Sequence, residues 1–180
     1  MRRFAVVLLM ILIAAGAGAQ ESSILQTYQD TFESGSPDVK LQVLRRAADQ
    51  PPEEMGPLYL QAAEFLENNA GQVGDTGVMR EIADLTAVGV RESATVQALE
   101  PMRRVFENYR EQEMRVSIMR TLGGVGVEDD ETVTWLRDWL SDQNDLQVAG
   151  EQPNTQVVRA GVDAMTQISD GSFFEPLLEA

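Results

Sequence analysis

Residues 113–126 read EMRVSIMRTLGGVG. Met114, Ile118, Leu122 and Val125 follow one another at steps of four, four and three, which places them on one face of an α-helix. The run ends at glycine, a common helix stop. Arg115 stands directly after the first apolar position. The same combination recurs at Val39-Lys40 with Val43 and Ala47, at Met79-Arg80 with Ala83 and Ala87, and at Val158-Arg159 with Val162 and Met165. The cations lie 40, 35 and 44 residues apart, and the second and fourth copies need a register shift of one or two residues.

A second element, apolar-x-Pro-apolar, alternates strictly with the first. It appears as Met55-Gly56-Pro57-Leu58, Leu99-Glu100-Pro101-Met102 and Phe174-Glu175-Pro176-Leu177, and Val133-Thr134-Trp135-Leu136 fills the remaining place without its proline. Proline costs little in the first turn of a helix, where its missing N–H has no partner to lose, so these elements read as helix starts. Stop and start signals at Ser36-Pro37-Asp38, Pro51-Pro52, Gly71 to Gly77 and Asp129-Asp130 agree. No segment alternates with period two, so strands are not expected. The expected helices cover about Ser22–Glu33, Asp38–Asp49, Gly56–Asn68, Thr76–Val88, Thr95–Asn108, Gln112–Gly123, Glu131–Ser141, Thr155–Ile168 and a short Ser172–Glu179.

Leu-Glu-Pro-Met, a polar turn, and then Met-Arg-x-x-Ile-x-x-x-Leu-Gly-x-Val-Gly resemble the HEAT repeat in its bacterial HEAT-like form. The resemblance is best over residues 93–126 and weaker over 75–92, and it departs from the family pattern where Lys40 replaces arginine. It implies an all-α fold, an α-solenoid of about four antiparallel helix pairs, with the Pro helix outside and the Arg helix on the concave side. In such a family Lys40, Arg80, Arg115 and Arg159 would form a structural cation column that binds acidic or carbonyl groups in neighbouring turns. Stacking is also what the physics demands, because a single pair of short amphipathic helices cannot bury its apolar face alone. Ile24, Leu25, Tyr28 and Phe32 suit an N-terminal cap, and Phe173, Phe174, Leu177 and Leu178 suit a short C-terminal capping helix.

Residues 1–19 have the layout of a secretory signal peptide. Arg2-Arg3 precede an apolar run from Phe4, and Ala17-Gly18-Ala19 offers a small-x-small cleavage site before Gln20. The 16 residues from Phe4 to Ala19 fall short of the roughly 20 needed to span a bilayer. The expected mature chain, residues 20–180, is one repeat domain with a periplasmic or secreted location and no membrane insertion after cleavage. It would keep 12 of the 14 basic residues against 29 acidic ones, a charge of −17. That balance argues against nucleic acid as a partner. It suits either basic partners and cations or a carboxylate shell that keeps an exported protein dissolved. With no cysteine and no histidine, Ser-His-Asp triads, Cys-His pairs and ordinary zinc sites are excluded.

No catalytic residue, cofactor or metal site is assigned. Ser36 and Lys40 lie four apart, but Ser36 is better placed as the cap before Pro37. Glu128 to Glu131 suits a helix start, where carboxylates are favourable. Asp142 to Asp145 opens like a calcium loop yet lacks its glycine and closing glutamate. A long polar loop is expected at about residues 142–156. The candidate partner-binding residues are Arg45, Arg46 and Arg120 on the Arg helices, with Trp135 and Trp139, four apart on one helix face, which serve either as aromatic anchors or, the commoner fate, as buried packing between repeats. The leading expectation is a non-enzymatic protein-binding or scaffold protein that offers its concave face to another protein or an extended peptide. The alternatives are a small enzyme or enzyme-associated subunit of a HEAT-like family, or an acidic cation-binding protein.

Overall fold

A computed structural model describes residues 24–69 and 77–169. It is all-α: eight helices, with no strand among the described residues. Helix α1 is described over residues 24–34. It is followed by α2 (Pro37–Ala47), α3 (Pro52–Asn69), α4 (Gly77–Glu92), α5 (Leu99–Asn108), α6 (Gln112–Val125), α7 (Asp130–Val148) and α8 (Thr155–Ile168). The expected signal segment, the glycine-rich joint at 71–76 and the capping helix at 172–179 lie outside the described residues.

Consecutive helices pack as pairs, α3 on α4, α5 on α6 and α7 on α8. The pairs also touch in two rows: α2, α4, α6 and α8 in one, α3, α5 and α7 in the other. Helix α1 joins the second row through the edge-to-face contact of Phe32 with Phe65 on α3, centroids 5.8 Å apart. One continuous apolar core runs between the rows from Phe32 to Ile168. Met114, Ile118, Leu122 and Val125, the stripe read from the sequence, are all buried in it. Each such side chain contributes roughly 1.5–3 kcal/mol by leaving water.

Small residues set the spacing between rows and pairs. A methyl group on Gly123 would lie 2.5 Å from the Cα atom of Ala164, so α6 and α8 approach almost backbone to backbone. On α3, a methyl group on Gly56 would lie 2.7 Å from Thr95 Oγ1, in the turn that leads into α5.

Helix α4 runs four residues past the expected Val88 to Glu92, α5 begins at Leu99 and not at Thr95, and two further boundaries differ from expectation. Helix α3 begins at Pro52, so Pro57 lies inside it and does not mark its start. Packing of Met55, Leu58, Tyr59 and Ala62 outweighs the one backbone bond that Pro57 removes. Pro101, in contrast, does sit in the first turn of α5. Helix α7 continues through Asp142 to Val148, which shortens the expected 142–156 loop to residues 149–154. Its polar residues are compatible with helix, and Leu140 and Asn144 continue the buried face. The stop is Gly150 at φ 85°, where Glu151 N–H bonds the Leu146 carbonyl and Gly150 N–H bonds that of Gln147. This is the two-bond left-handed termination that glycine permits at no steric cost.

Candidate functional site

Along the α2–α4–α6–α8 row, surface grooves run between α2 and α4 and between α6 and α8. The groove between α2 and α4 encloses about 730 Å³ and is lined by Asp38, Gln42, Arg45, Arg80, Glu81 and Asp84. Arg45 spans it, with Nε 2.9 Å from Glu81 on α4. Arg80 reaches forward from α4 to Glu111 in the turn before α6, 2.9 Å away. Asp84, on the same wall, is half-buried. Its carboxyl pKa is raised above the ordinary 3.8 by burial first and by Glu113 next, with a smaller push from Glu111, while Arg80 and a hydrogen bond with Ser117 oppose. Glu111 and Glu113 therefore crowd it more than Arg80 relieves it.

The groove between α6 and α8 is smaller, about 300 Å³. Val116 and Ala160 line it together with Arg120, Gln156, Arg159 and Asp163. At one end an amide chain closes it: Asn154 Nδ2 donates to Gln112 Oε1 at 2.8 Å, and Gln112 Nε2 donates to Gln156 Oε1 at 2.6 Å. Arg46 lines a groove of about 400 Å³ between α1 and α2, with Tyr28, Thr31, Val39 and Val43.

The four cations of the expected column do not share one environment. Lys40 is buried, donates to the carbonyls of Phe32 and Glu33 at the end of α1, and lies 4.6 Å from the Phe32 ring centroid. It closes the free carbonyls of that helix end, where positive charge is favoured. Burial nonetheless lowers its pKa, with Glu33 opposing. This arrangement leaves no Ser36–Lys40 dyad, and the Ser36 side chain makes no cap bond although it precedes Pro37 at the start of α2. Arg115 is half-buried over the Phe106 ring, 4.1 Å from its centroid, and its Nε has no hydrogen-bond partner. Arg80 and Arg159 are exposed. Among the described residues, Arg80 bonds the acidic turn before α6 and Lys40 the carbonyls at the end of α1, the two kinds of partner expected of the column, whereas no such bond is made by Arg115 Nε or seen for Arg159.

The cation that most firmly joins two pairs among the described residues is Arg103, which belongs to neither sequence element. Its side chain is 10% exposed; Nη1 meets Asp129 at 3.1 Å and Thr132 Oγ1 at 2.9 Å, and Nη2 meets Glu131 at 3.0 Å. Asp129 also caps α7 by accepting from Thr132 N–H at 2.9 Å. The available signal was position: Leu99, Met102 and Phe106 make a helical stripe, and Arg103, four residues after Leu99, falls on its buried side.

The tryptophans separate as well. Trp139 is buried, and its ring occupies the space beside Gly161 of α8. It is a packing residue, not an exposed anchor, because the small side of α8 leaves a slot that only a flat ring fills. Trp135 stacks on it at 6.4 Å, stays partly exposed and donates from Nε1 to Glu107 at 2.8 Å. Both meet Phe106 edge-on. Asp142 to Asp145 lie within α7, so they form no calcium-type loop. Among the described residues no group of three or more acidic side chains is placed to hold a metal ion, and no helix is long and apolar enough to cross a membrane.

No family model, curated protein or solved structure matches the chain.

Proposed function

We propose that this chain is an exported, non-enzymatic binding or scaffold protein, built as a short α-solenoid of HEAT-like helix pairs. The row α2–α4–α6–α8 forms the concave side and faces another protein or an extended peptide. The observation that carries this is the repeated step from pair to pair along that row. Each helix packs on the next, and polar bonds cross each step: Arg45 to Glu81, Thr121 to the Ala87 carbonyl, and Gln112 to Gln156. A surface assembled by translation presents the same kind of groove several times, which suits an elongated partner better than a compact substrate. Export follows from the layout of residues 1–19, and the exported chain then begins at Gln20.

Site-specific photo-cross-linking in the exporting host tests it. A benzophenone side chain at Gln42, on the proposed concave row, is expected to capture one discrete partner. The same group at Asp138, on the opposite row, is expected to capture none. Equal labelling from both rows, or none from Gln42, removes the proposal.

A further inference from the structure

We infer that the seam between α6 and α8 is a carboxylate-binding subsite for an acidic peptide segment, held by Arg120 and Arg159 and extended toward α4 by Arg91. The inference rests on the proposed binding role of the α2–α4–α6–α8 row and assigns its partner a charge. Its first support is packing. Gly123 on α6 meets Ala164 on α8 so closely that no methyl group fits, and Ala160 is buried beside them. Side chains flanking such a tight seam project over it from both helices. Arg120 and Arg159 line the groove there together with Val116 and Ala160.

The second support is ion pairing. Of the eleven described arginines, Arg45, Arg80, Arg103, Arg104 and Arg137 have a carboxylate partner and six do not; three of those six, Arg91, Arg120 and Arg159, fall on α4, α6 and α8. On the opposite row Arg103, Arg104 and Arg137 each have a carboxylate oxygen within 3.1 Å. Arg120 and Arg159 have no ion pair among the described residues, although Asp163 lines the same groove. Arg91 is exposed and also lacks an ion pair among the described residues. Its stem lies against Gly124, one turn beyond Arg120, where a methyl group would sit 3.1 Å from Arg91 Cγ. Three open guanidinium groups thus follow one another from α4 to α8.

Guanidinium forks bind carboxylates with two parallel hydrogen bonds. Packed helices lie about 8–10 Å apart, and an extended strand advances about 3.3 Å per residue. A matching peptide therefore carries its carboxylates about every third residue. Repulsion from the acidic remainder of the molecule is screened beyond about 8 Å at physiological salt, so the local pairs decide.

The test uses a fluorescein-labelled peptide with glutamate at every third position, its glutamine counterpart and its lysine counterpart, read by fluorescence anisotropy against the mature chain. The glutamate peptide is expected to bind, the other two are not, and added salt weakens the complex. The double variant Arg120→Glu/Arg159→Glu is expected to lose roughly tenfold or more in affinity, whereas Arg137→Glu keeps it. Matching thermal melts show that each variant is folded. Equal binding by the folded double variant, or preference for the lysine or glutamine peptide, overturns the assignment. A partner cross-linked at Gln42 with no binding of the glutamate peptide overturns it too, and leaves the proposed binding role standing.

Discussion

Arg103 on α5 and Asp129 at the start of α7 lie 3.1 Å apart, and this ion pair ties one helix pair to the next at the rim of the core. Asp129 is at the same time the cap of α7, so one carboxylate terminates a helix and positions its neighbour. Replacing Arg103 with alanine strands Asp129 and Thr132 in a partly dry site. The expected loss is roughly 1–3 kcal/mol of unfolding free energy, read by chemical denaturation. A variant as stable as the parent would show that the pair contributes nothing.

Arg115 presents the opposite case. Burial first, and then the neighbouring Arg110, hold its pKa below the ordinary value. Its Nε bonds nothing, so the charge brings a desolvation cost without a compensating hydrogen bond at that atom. Arg115→Met keeps apolar cover on the Phe106 ring and removes that cost. The melting temperature is expected to stay level or rise, and a clear drop would mean that the cation over the ring outweighs its desolvation.

Helix α4 ends in the left-handed conformation at Ala94, φ 51°, with Thr95 N–H bonded to the Val90 carbonyl and Ala94 N–H to that of Arg91. Alanine is strained there and glycine is not. Ala94→Gly is expected to stabilise the chain by about 0.5–1 kcal/mol, a melting rise of roughly 1–4 °C. No rise would show that the greater freedom of glycine in the unfolded chain cancels the relief.

Asp84 makes stability depend on pH. Its raised pKa means that the folded chain holds this proton more tightly than the unfolded one. Stability from this group is complete below 3.8 and is lost as pH rises through the higher folded value. Asp84→Asn is therefore expected to melt above the parent at neutral pH, with the gap closing as pH falls toward 3.8. A gap that persists in acid would locate the effect in packing, not in charge.

The pattern of apolar residues was legible at once, because helical periodicity is a local property. Met114, Ile118 and Leu122 point one way on any α-helix, and the alternation of the two sequence elements marks out successive pairs. Helix ends were less legible. Met55 and Leu58 hold a helix straight through Pro57, and Asn144 carries α7 past Ser141, since burial against distant neighbours outweighs a local stop signal.

The sequence by itself determined helix, pairing order and charge: these depend on spacing within about a turn and on composition. The tertiary structure alone decided which cation went where. Lys40 closes α1, Arg115 lies under a half-dry surface, and Arg103 found Asp129 and Thr132, 26 and 29 positions away. An arginine's stem is long enough to reach several environments from one backbone position, and only the packed neighbours determine which of them is dry, which is acidic and which remains open.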